Sequence, residues 1–142
     1  TGSRSGRVSG REQPSRRDAA DIEKGLGVVE RLAPFDTGAA TVVARAYILA
    51  IEAAEGLSAM LERVSGLRQW GVRAKRRIGV LVRRLGPTDR EAGPLEALFG
   101  QAAGQGLAGI AVTGSASALA PYEDAARLAD RLGLFLVVCE TR

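Results

Sequence analysis

Two glutamates stand where an apolar strand pattern passes into a helix pattern, in the stretch AYILAIEAAEGLSAML at residues 46–61. Glu52 and Glu55 follow the apolar residues, and Gly56 precedes the helical spacing. Open α/β sheets gather their binding sites at the carboxyl ends of strands. Carboxylate oxygens are the ligands that hard cations such as Mg²⁺ prefer. The position of the two glutamates therefore indicates a candidate metal-binding edge.

A second polar group follows a later apolar segment, in the stretch VRRLGPTDRE at residues 82–91. Its polar members are Asp89, Arg90 and Glu91, and Arg83 adds a positive charge just before them. If this loop and the first stretch share one edge of a sheet, three carboxylates and several arginines converge. That combination suits a metal-assisted reaction on a phosphorylated substrate.

Each of these residues also has a purely structural interpretation. Glu55 can stabilise the positive end of the helix that follows it. Glu52 can be a solvated strand end, and Asp89 can belong to an ordinary polar loop. Spacing alone leaves both interpretations open.

The residue types that are missing exclude several kinds of site. The chain has no histidine and a single cysteine, Cys139. Histidine-based acid–base catalysis, the common zinc sites and an internal disulfide are therefore excluded. We expect Cys139 to be a small core residue, because it lies in the apolar run LFLVVCE. No phosphate-binding glycine loop with the required spacing occurs.

The net charge of +4 comes from the first residues. Residues 1–17 contain five arginines and one glutamate, whereas the other 125 residues carry fifteen charges of each sign. We expect 1–17 to form a flexible Arg/Ser/Gly-rich linker or tail, and 18–142 to form a single domain. A basic run at 73–77 can meet an anionic surface or form a solvated face.

Helix and strand patterns alternate along the chain, and this predicts an α/β fold: a layered domain with a mixed, partly parallel sheet flanked by helices. The last apolar run, residues 134–140, is apolar on both faces and is predicted to be an interior strand. The segment 41–53 reads as one long strand or as a hairpin that turns near Arg45 and Ala46. Two further strands are expected at 77–82 and 107–112. Four helices are expected: the first is capped by Asp18 and ended by Pro34, and the others are 56–67, 93–106 and 122–133.

Five short stretches occur in the same order, with similar spacing, as in one enzyme family. The chain resembles the C-terminal domain of the LpxI-type UDP-2,3-diacylglucosamine pyrophosphatase, a family of lipid A synthesis, over roughly residues 18 to 139. The stretches are DIEKGLGVVERLAPFDTGAATVV, AYILAIEAAEG, RAKRRIGVLV, GLAGIAV and DRLGLFLV. Several matches in register are more specific than any one of them.

The resemblance implies a hydrolase that cleaves its substrate to lipid X and UMP with a divalent metal, usually Mg²⁺. It implies a cytoplasmic protein, peripheral to the inner membrane of a Gram-negative bacterium, whose site lies between two domains. This chain resembles the second domain alone. The implied partners are the N-terminal domain of the same protein, the lipid-linked UDP-sugar, a membrane surface and a second copy, with no nucleic acid.

The resemblance also implies roles for individual residues. Glu52, Glu55, Gly56 and Arg90 match the family pattern position by position, and Asp89 is a candidate replacement for the family's catalytic aspartate. The resulting site has Asp89 and Glu55 as catalytic residues, Glu52, Glu55 and Asp89 as metal ligands, and Arg90, Gly56, Ser58 and Arg83 as substrate-binding residues.

Two departures from the family pattern bear on activity. The family reads Glu-Gly-Thr-Asp where this chain has Glu55, Gly56, Leu57 and Ser58. The position of the family's catalytic aspartate falls on Ala92. Three hypotheses therefore stay open: a hydrolase half, a non-catalytic relative that binds lipid or nucleotide or forms a dimer, and a general interaction module.

Overall fold

The computed structural model describes residues 6–35, 40–53, 56–68, 78–85 and 95–141, which form a six-stranded sheet and five α-helices. This is the α/β layered fold that the alternating pattern predicts. In chain order the elements are β1 (Gly6–Ser9), α1 (Arg16–Leu32), a short 3₁₀ turn (Ala33–Phe35), β2 (Ala40–Ala44), β3 (Tyr47–Ile51), α2 (Leu57–Arg68), β4 (Val80–Leu85), α3 (Leu95–Gly104), β5 (Gly109–Gly114), α4 (Ala116–Glu123), α5 (Ala126–Leu132) and β6 (Phe135–Glu140).

The sheet is mixed, with the strand order β1-β6-β5-β4-β2-β3. β4, β5 and β6 are parallel neighbours, and the other three pairings are antiparallel. β6 lies between β5 and β1, so the prediction of an interior strand at 134–140 is confirmed. Its run from Phe135 to Cys139 is buried because helices cover both faces of the sheet there.

Helices cover the two faces unequally. Among the described helices, α1 is the one that packs on the first face, which we call the α1 face, through Ile22, Leu26 and Val29. Their spacing of four and three residues puts them on one side of the helix. α2, α3, α4 and α5 share the other face, where Phe99 and Leu107 are among the fully buried side chains. We call this the four-helix face.

A capping box begins α1. Ser15 is the N-cap, and its hydroxyl accepts a hydrogen bond from the Asp18 N–H at 3.1 Å. The Asp18 carboxylate accepts one in return from the Ser15 N–H at 3.0 Å. Asp18 was the expected cap, so the expectation was wrong by three residues. The reason is that Asp18 is the third helical residue, whose side chain reaches back to the cap.

The segment 41–53 is a hairpin, which was one of its two predicted forms. Arg45 and Ala46 form the turn with positive φ angles of 51° and 69°. Neither is glycine, so the turn needs support from elsewhere. Asp21 on α1 provides it, because its buried carboxylate accepts from the Arg45 and Ala46 N–H groups at 3.1 and 2.8 Å. Lys24 on the same helix donates to the Ala46 carbonyl.

A β-bulge in β3 changes which of its residues share a face. Ile48 pairs with Val43 and Ala50 pairs with Val42, so Leu49 is the extra residue. Simple alternation predicts that Ile48 and Ala50 share a face, and this is wrong. Ile48 pairs on the α1 face, whereas Ala50 and Leu49 pack with the four-helix face.

Four element assignments differ from the sequence pattern. The pattern at 122–133 predicts one helix, but the structure divides the region into α4 and α5, with Ala125 between them. Two expected strands lie two or three residues further along, as β4 and β5. β1 lies within residues 1–17, where no element was expected. It adds to β6 through backbone pairing, which leaves little trace in side-chain type.

Candidate functional site

Four strands end at one edge of the sheet, which we call the carboxyl edge. Leu85, Gly114 and Glu140 are in register at the ends of β4, β5 and β6. β3 also ends there, because β2 runs antiparallel to both of its neighbours. Glu52 follows β3 directly, and the chain leaves β4 toward residues 86–94 at the same edge. The strand topology therefore puts Glu52 and the start of that polar loop on one side of the domain.

Glu52 and Arg83 belong to one row of residues across the sheet. The Glu52 N–H donates to the Ala40 carbonyl at 2.8 Å, and Ala40 is the register partner of Arg83. Paired residues point to the same face, so both side chains flank Ala40 on the four-helix face. Their Cα atoms lie about two strand spacings, or roughly 10 Å, apart. Ala40, which lies between them, is itself a buried core residue.

Arg83 is an almost fully buried cation, with 5% of its surface exposed. Its neighbours in β4 on the same face are Leu81 and Leu85, and both are core residues. A buried charge is costly unless an opposite charge or a hydrogen-bond acceptor meets it. A guanidinium in this place is therefore suited to bind a phosphate or a carboxylate.

Three helices begin at the carboxyl edge. α2 follows β3, α3 follows the chain beyond β4, and α4 follows β5. The first N–H groups of a helix are free, and the helix dipole makes this end positive. Ser115 caps α4, with its hydroxyl accepting from the Ala118 N–H at 3.4 Å. The carboxyl edge therefore carries a positive field that favours anions.

Gly56 and Ser58 form the entry to α2. Gly56 has a φ of +90°, a conformation that L side chains rarely adopt. An added Cβ at Gly56 meets nothing within 4 Å, so the backbone angle rather than crowding requires glycine. The Ser58 hydroxyl donates to Gln101 on α3 at 3.3 Å. Ser58 therefore ties two helices together at this edge.

Arg63 is a residue of this neighbourhood that the sequence pattern did not single out. Its Nη2 donates to the Ile51 carbonyl at 3.4 Å, so the guanidinium lies beside the residue before Glu52. Arg63 is one of many charged residues on an exposed helix surface, and its type gives no signal. Only the return of α2 over the end of β3 brings it to the site.

Three of the predicted site residues, Glu55, Asp89 and Arg90, lie outside the described residues. The structure therefore brings together Glu52, Gly56, Ser58 and Arg83 at one edge. Within the described ranges, no three acidic, histidine or cysteine residues come together as a metal-binding group. Of the three predicted carboxylate ligands, Glu52 is the one that lies within the described residues.

No helix in the described part of the chain is both long enough and apolar enough to cross a bilayer.

Comparison with known proteins relates this chain to one enzyme family. Residues 5–137 match the LpxI C-terminal domain family. The chain is also 36% identical over 133 residues to UDP-2,3-diacylglucosamine pyrophosphatase LpxI of Caulobacter vibrioides. That match covers 90% of this chain and 48% of the relative. The chain thus spans about half the length of the curated relative that it matches.

Proposed function

Since the chain belongs to the LpxI C-terminal domain family, we propose that it is one half of an enzyme that hydrolyses UDP-2,3-diacylglucosamine to lipid X and UMP. The observation that carries the proposal is the row of Glu52 and Arg83 at an edge where three helices begin. This edge offers an oxygen ligand, a buried cation and a positive field to one ligand. Hydrolysis of a pyrophosphate diester is favoured by all three features, since its phosphates carry negative charge.

The reaction adds water across one bridging P–O bond, and negative charge develops on the bridging oxygen that leaves. Arg83 holds a non-bridging phosphate oxygen and offsets part of this charge. It can do so strongly because it is shielded from water. The first N–H groups of α2 and α4 add to the same effect. Arg63 and Arg90 are further cations that orient the phosphates.

The carboxylates hold the water and the cation in this proposal. Asp89 and Glu55 are the proposed general bases, one of which accepts the proton of the attacking water, and Glu52, Glu55 and Asp89 would be the ligands that hold Mg²⁺. Glu52 fits that role, since it is a hard oxygen donor placed at the carboxyl edge. Bound Mg²⁺ would neutralise phosphate charge at the edge.

Arg83 provides the sharpest test of the proposal. In the full-length protein, Arg83→Gln should lower kcat/KM for UDP-2,3-diacylglucosamine at least ~10²-fold, as removal of a preorganised charge does. Arg83→Lys should retain part of the activity because it keeps the charge. Arg127→Gln on α5, an exposed position, is the matched control.

Unfolding curves of all three variants should accompany the assay, so that loss of fold is separated from loss of catalysis. A folded Arg83→Gln variant with unchanged kcat/KM would remove Arg83 from the site and with it the basis of the proposal.

A non-catalytic relative is the second candidate function. Ala92, at the position of the family's catalytic aspartate, favours it. In that case the full-length protein would bind the UDP-sugar without releasing UMP. Isothermal titration and a UMP assay on the same preparation distinguish the two functions, because binding without turnover supports the second and turnover supports the first.

The proposed partners follow from the length of the relative and from the exposed surface. The missing half supplies the other wall of the site, and a membrane surface presents the lipid substrate. A second copy is a further proposed partner. Its support is edge strand β3, which exposes Tyr47, Ile48 and Ile51 at 74%, 41% and 37%.

A further inference from the structure

The bulge in β3 decides on which face of the sheet Glu52 lies. Counted from the register next to the turn, a hairpin without the extra residue Leu49 would pair Ala40 with Ile51. Because successive residues of a strand point to opposite faces, Glu52 would then leave the sheet on the α1 face. The bulge moves the pairing by one residue, and the Glu52 N–H donates to the Ala40 carbonyl instead. Glu52 therefore shares the four-helix face with Arg83.

A threonine side chain joins the two strands on the Glu52 side of the bulge. Thr41 in β2 is fully buried, and its hydroxyl donates to the Ala50 carbonyl in β3 at 2.7 Å. Thr41 pairs with Val82, so its side chain leaves the sheet on the α1 face, opposite to that of Glu52. The hydroxyl thus contacts the backbone that carries Glu52 and lies on the other side of the sheet from the proposed site.

The hydrogen bond of Thr41 depends on the shifted register. In an antiparallel pair, the backbone groups of successive residues point alternately toward and away from the neighbouring strand. The Glu52 N–H points toward β2, so the groups of Ala50, two residues earlier, do so as well. Tyr47 closes the two-residue turn and also points toward β2. Without an extra residue, Ala50 would be three steps from Tyr47, and its carbonyl would point away from β2.

Close packing of α1 fixes the orientation of the Thr41 side chain. α1 passes over it at Gly25, where an added Cβ would lie 3.4 Å from the Thr41 methyl carbon. The methyl group therefore lies beneath the helix while the hydroxyl reaches the Ala50 carbonyl. A β-branched side chain has few rotamers, and contacts at both of its branches select one of them. The hydroxyl is thus held in place as a donor to the bulged form of β3.

We propose that Thr41 is a positioning residue for Glu52: its hydroxyl stabilises the bulged register, which holds the Glu52 carboxylate on the four-helix face in one row with Arg83. This inference rests on the proposed function for the role that Glu52 plays. The placement of Glu52 is a property of the fold, so it can be measured without any activity. Thr41 acts through the backbone of β3 and touches no ligand.

Hydrogen exchange in the full-length protein tests the placement of Glu52. Thr41→Val keeps the shape of the side chain and removes the hydroxyl, so the Glu52 amide proton should exchange about 5-fold faster than in the wild type. Thr41→Ser keeps the hydroxyl and should restore slow exchange. Thr113→Val is the matched control, because Thr113 is also fully buried but its hydroxyl forms no hydrogen bond. Its exchange at Glu52 should equal that of the wild type.

A double-mutant cycle tests whether Thr41 acts through Glu52. Thr41→Val should lower kcat/KM for UMP release from UDP-2,3-diacylglucosamine about 10-fold, because a small displacement of a group at the site is costly. In a Glu52→Gln background, Thr41→Val should cause no further loss, since the group that it positions is already gone. A contribution of Thr41 to stability alone would give the same fold-loss in both backgrounds.

Several outcomes would overturn the proposal. Wild-type exchange at Glu52 in Thr41→Val shows that the hydroxyl does not hold the register. Equal losses in both backgrounds of the cycle restrict Thr41 to a role in stability. A fully active Glu52→Gln variant removes the need to hold Glu52 in place. If the wild-type full-length protein releases no UMP, the proposed function fails, and the exchange measurement decides separately whether Thr41 places Glu52.

Discussion

Glu52 gains its place from the strand beside it. Its backbone N–H bonds to Ala40, so the residue is held against β2 although it lies just past the end of β3. Arg83 is the partner of Ala40 on the other side. A carboxylate and a buried guanidinium are thus set at a fixed spacing by backbone hydrogen bonds. Such spacing suits a ligand that carries phosphate and a cation together.

A substitution of Glu55 distinguishes the catalytic from the structural interpretation of residues 46–61. It lies outside the described residues, and its role stays a prediction. In the full-length protein, Glu55→Gln should lower kcat at least ~10²-fold if the carboxylate acts in proton transfer. Glu62→Gln, an exposed position on α2, is the control. If Glu55 acts at the helix start alone, activity will persist and the free energy of unfolding will fall by about 0.3–1 kcal/mol.

Asp21 is a buried carboxylate with a structural task. It accepts from two backbone N–H groups in the Arg45–Ala46 turn. Asp21→Asn should lower the free energy of unfolding by about 1–3 kcal/mol, because an amide cannot accept both bonds through one oxygen without placing its own N–H₂ near a donor. Urea denaturation measures the change, with exposed Glu23→Gln on the same helix as the control. Equal stability of the two variants would show that the turn does not need Asp21.

At the level of elements, the hairpin of β2 and β3 forms in spite of its turn residues. Two-residue hairpin turns with positive φ favour glycine and asparagine, and here Arg45 and Ala46 occupy them. α1 compensates through Asp21 and Lys24, so the hairpin depends on a helix that precedes it in the chain. The hairpin in turn fixes the direction of β3 and hence the edge at which Glu52 emerges.

The turn should become more stable when its backbone strain is removed. The left-handed backbone conformation of Ala46 costs about 1–2 kcal/mol, and Ala46→Gly removes this cost. Part of the gain is lost, because glycine has more conformational freedom in the unfolded chain. We expect a net stabilisation of about 0.5–1 kcal/mol in urea denaturation. A destabilised variant would mean that the methyl group of Ala46 contributes more through contacts than the angle costs.

The pairing of β5 and β6 depends on a glycine. A Cβ at Gly109 would lie 2.3 Å from the Phe135 ring, whereas one at Gly100 on α3 would meet nothing within 4 Å. Gly109→Ala should therefore destabilise the protein by about 1–3 kcal/mol. Gly100→Ala should stabilise it by about 0.5–1 kcal/mol. The opposite signs are the test, and Tm values of the two variants measure them. A neutral Gly109→Ala would show that the ring moves aside easily.

At the level of the whole molecule, the carboxyl edge is half of the proposed site. The chain spans about half of its curated relative, and in the proposed enzyme a second domain closes over this edge. We therefore expect the 142-residue chain alone not to hydrolyse UDP-2,3-diacylglucosamine, because catalysis needs the reacting groups in precise positions.

The measurement is UMP release by the purified chain, with the full-length protein as the positive control. UMP release by the chain alone that stops when the metal is chelated would show that the second domain is dispensable for the chemistry.

The sequence by itself determined the type of fold and the family. Apolar periodicity reveals strands and helices because burial selects residue type directly, and the run at 134–140 is apolar on both sides because helices cover both faces. The ordered matches along the chain predicted the family, because several short matches with the same order and spacing are more specific than any single one. The glutamates at the end of β3 also stood out, because charge at a strand end has no role in packing.

The tertiary structure alone decided which residues meet. Strand order, the bulge at Leu49 and the addition of β1 depend on backbone hydrogen bonds, which every residue type can form. For that reason the sequence did not show that Arg83 pairs with Ala40 or that Arg63 donates a hydrogen bond to the Ile51 carbonyl. It did not show the unpaired Thr113 either, because a buried threonine differs from an exposed one only in what surrounds it.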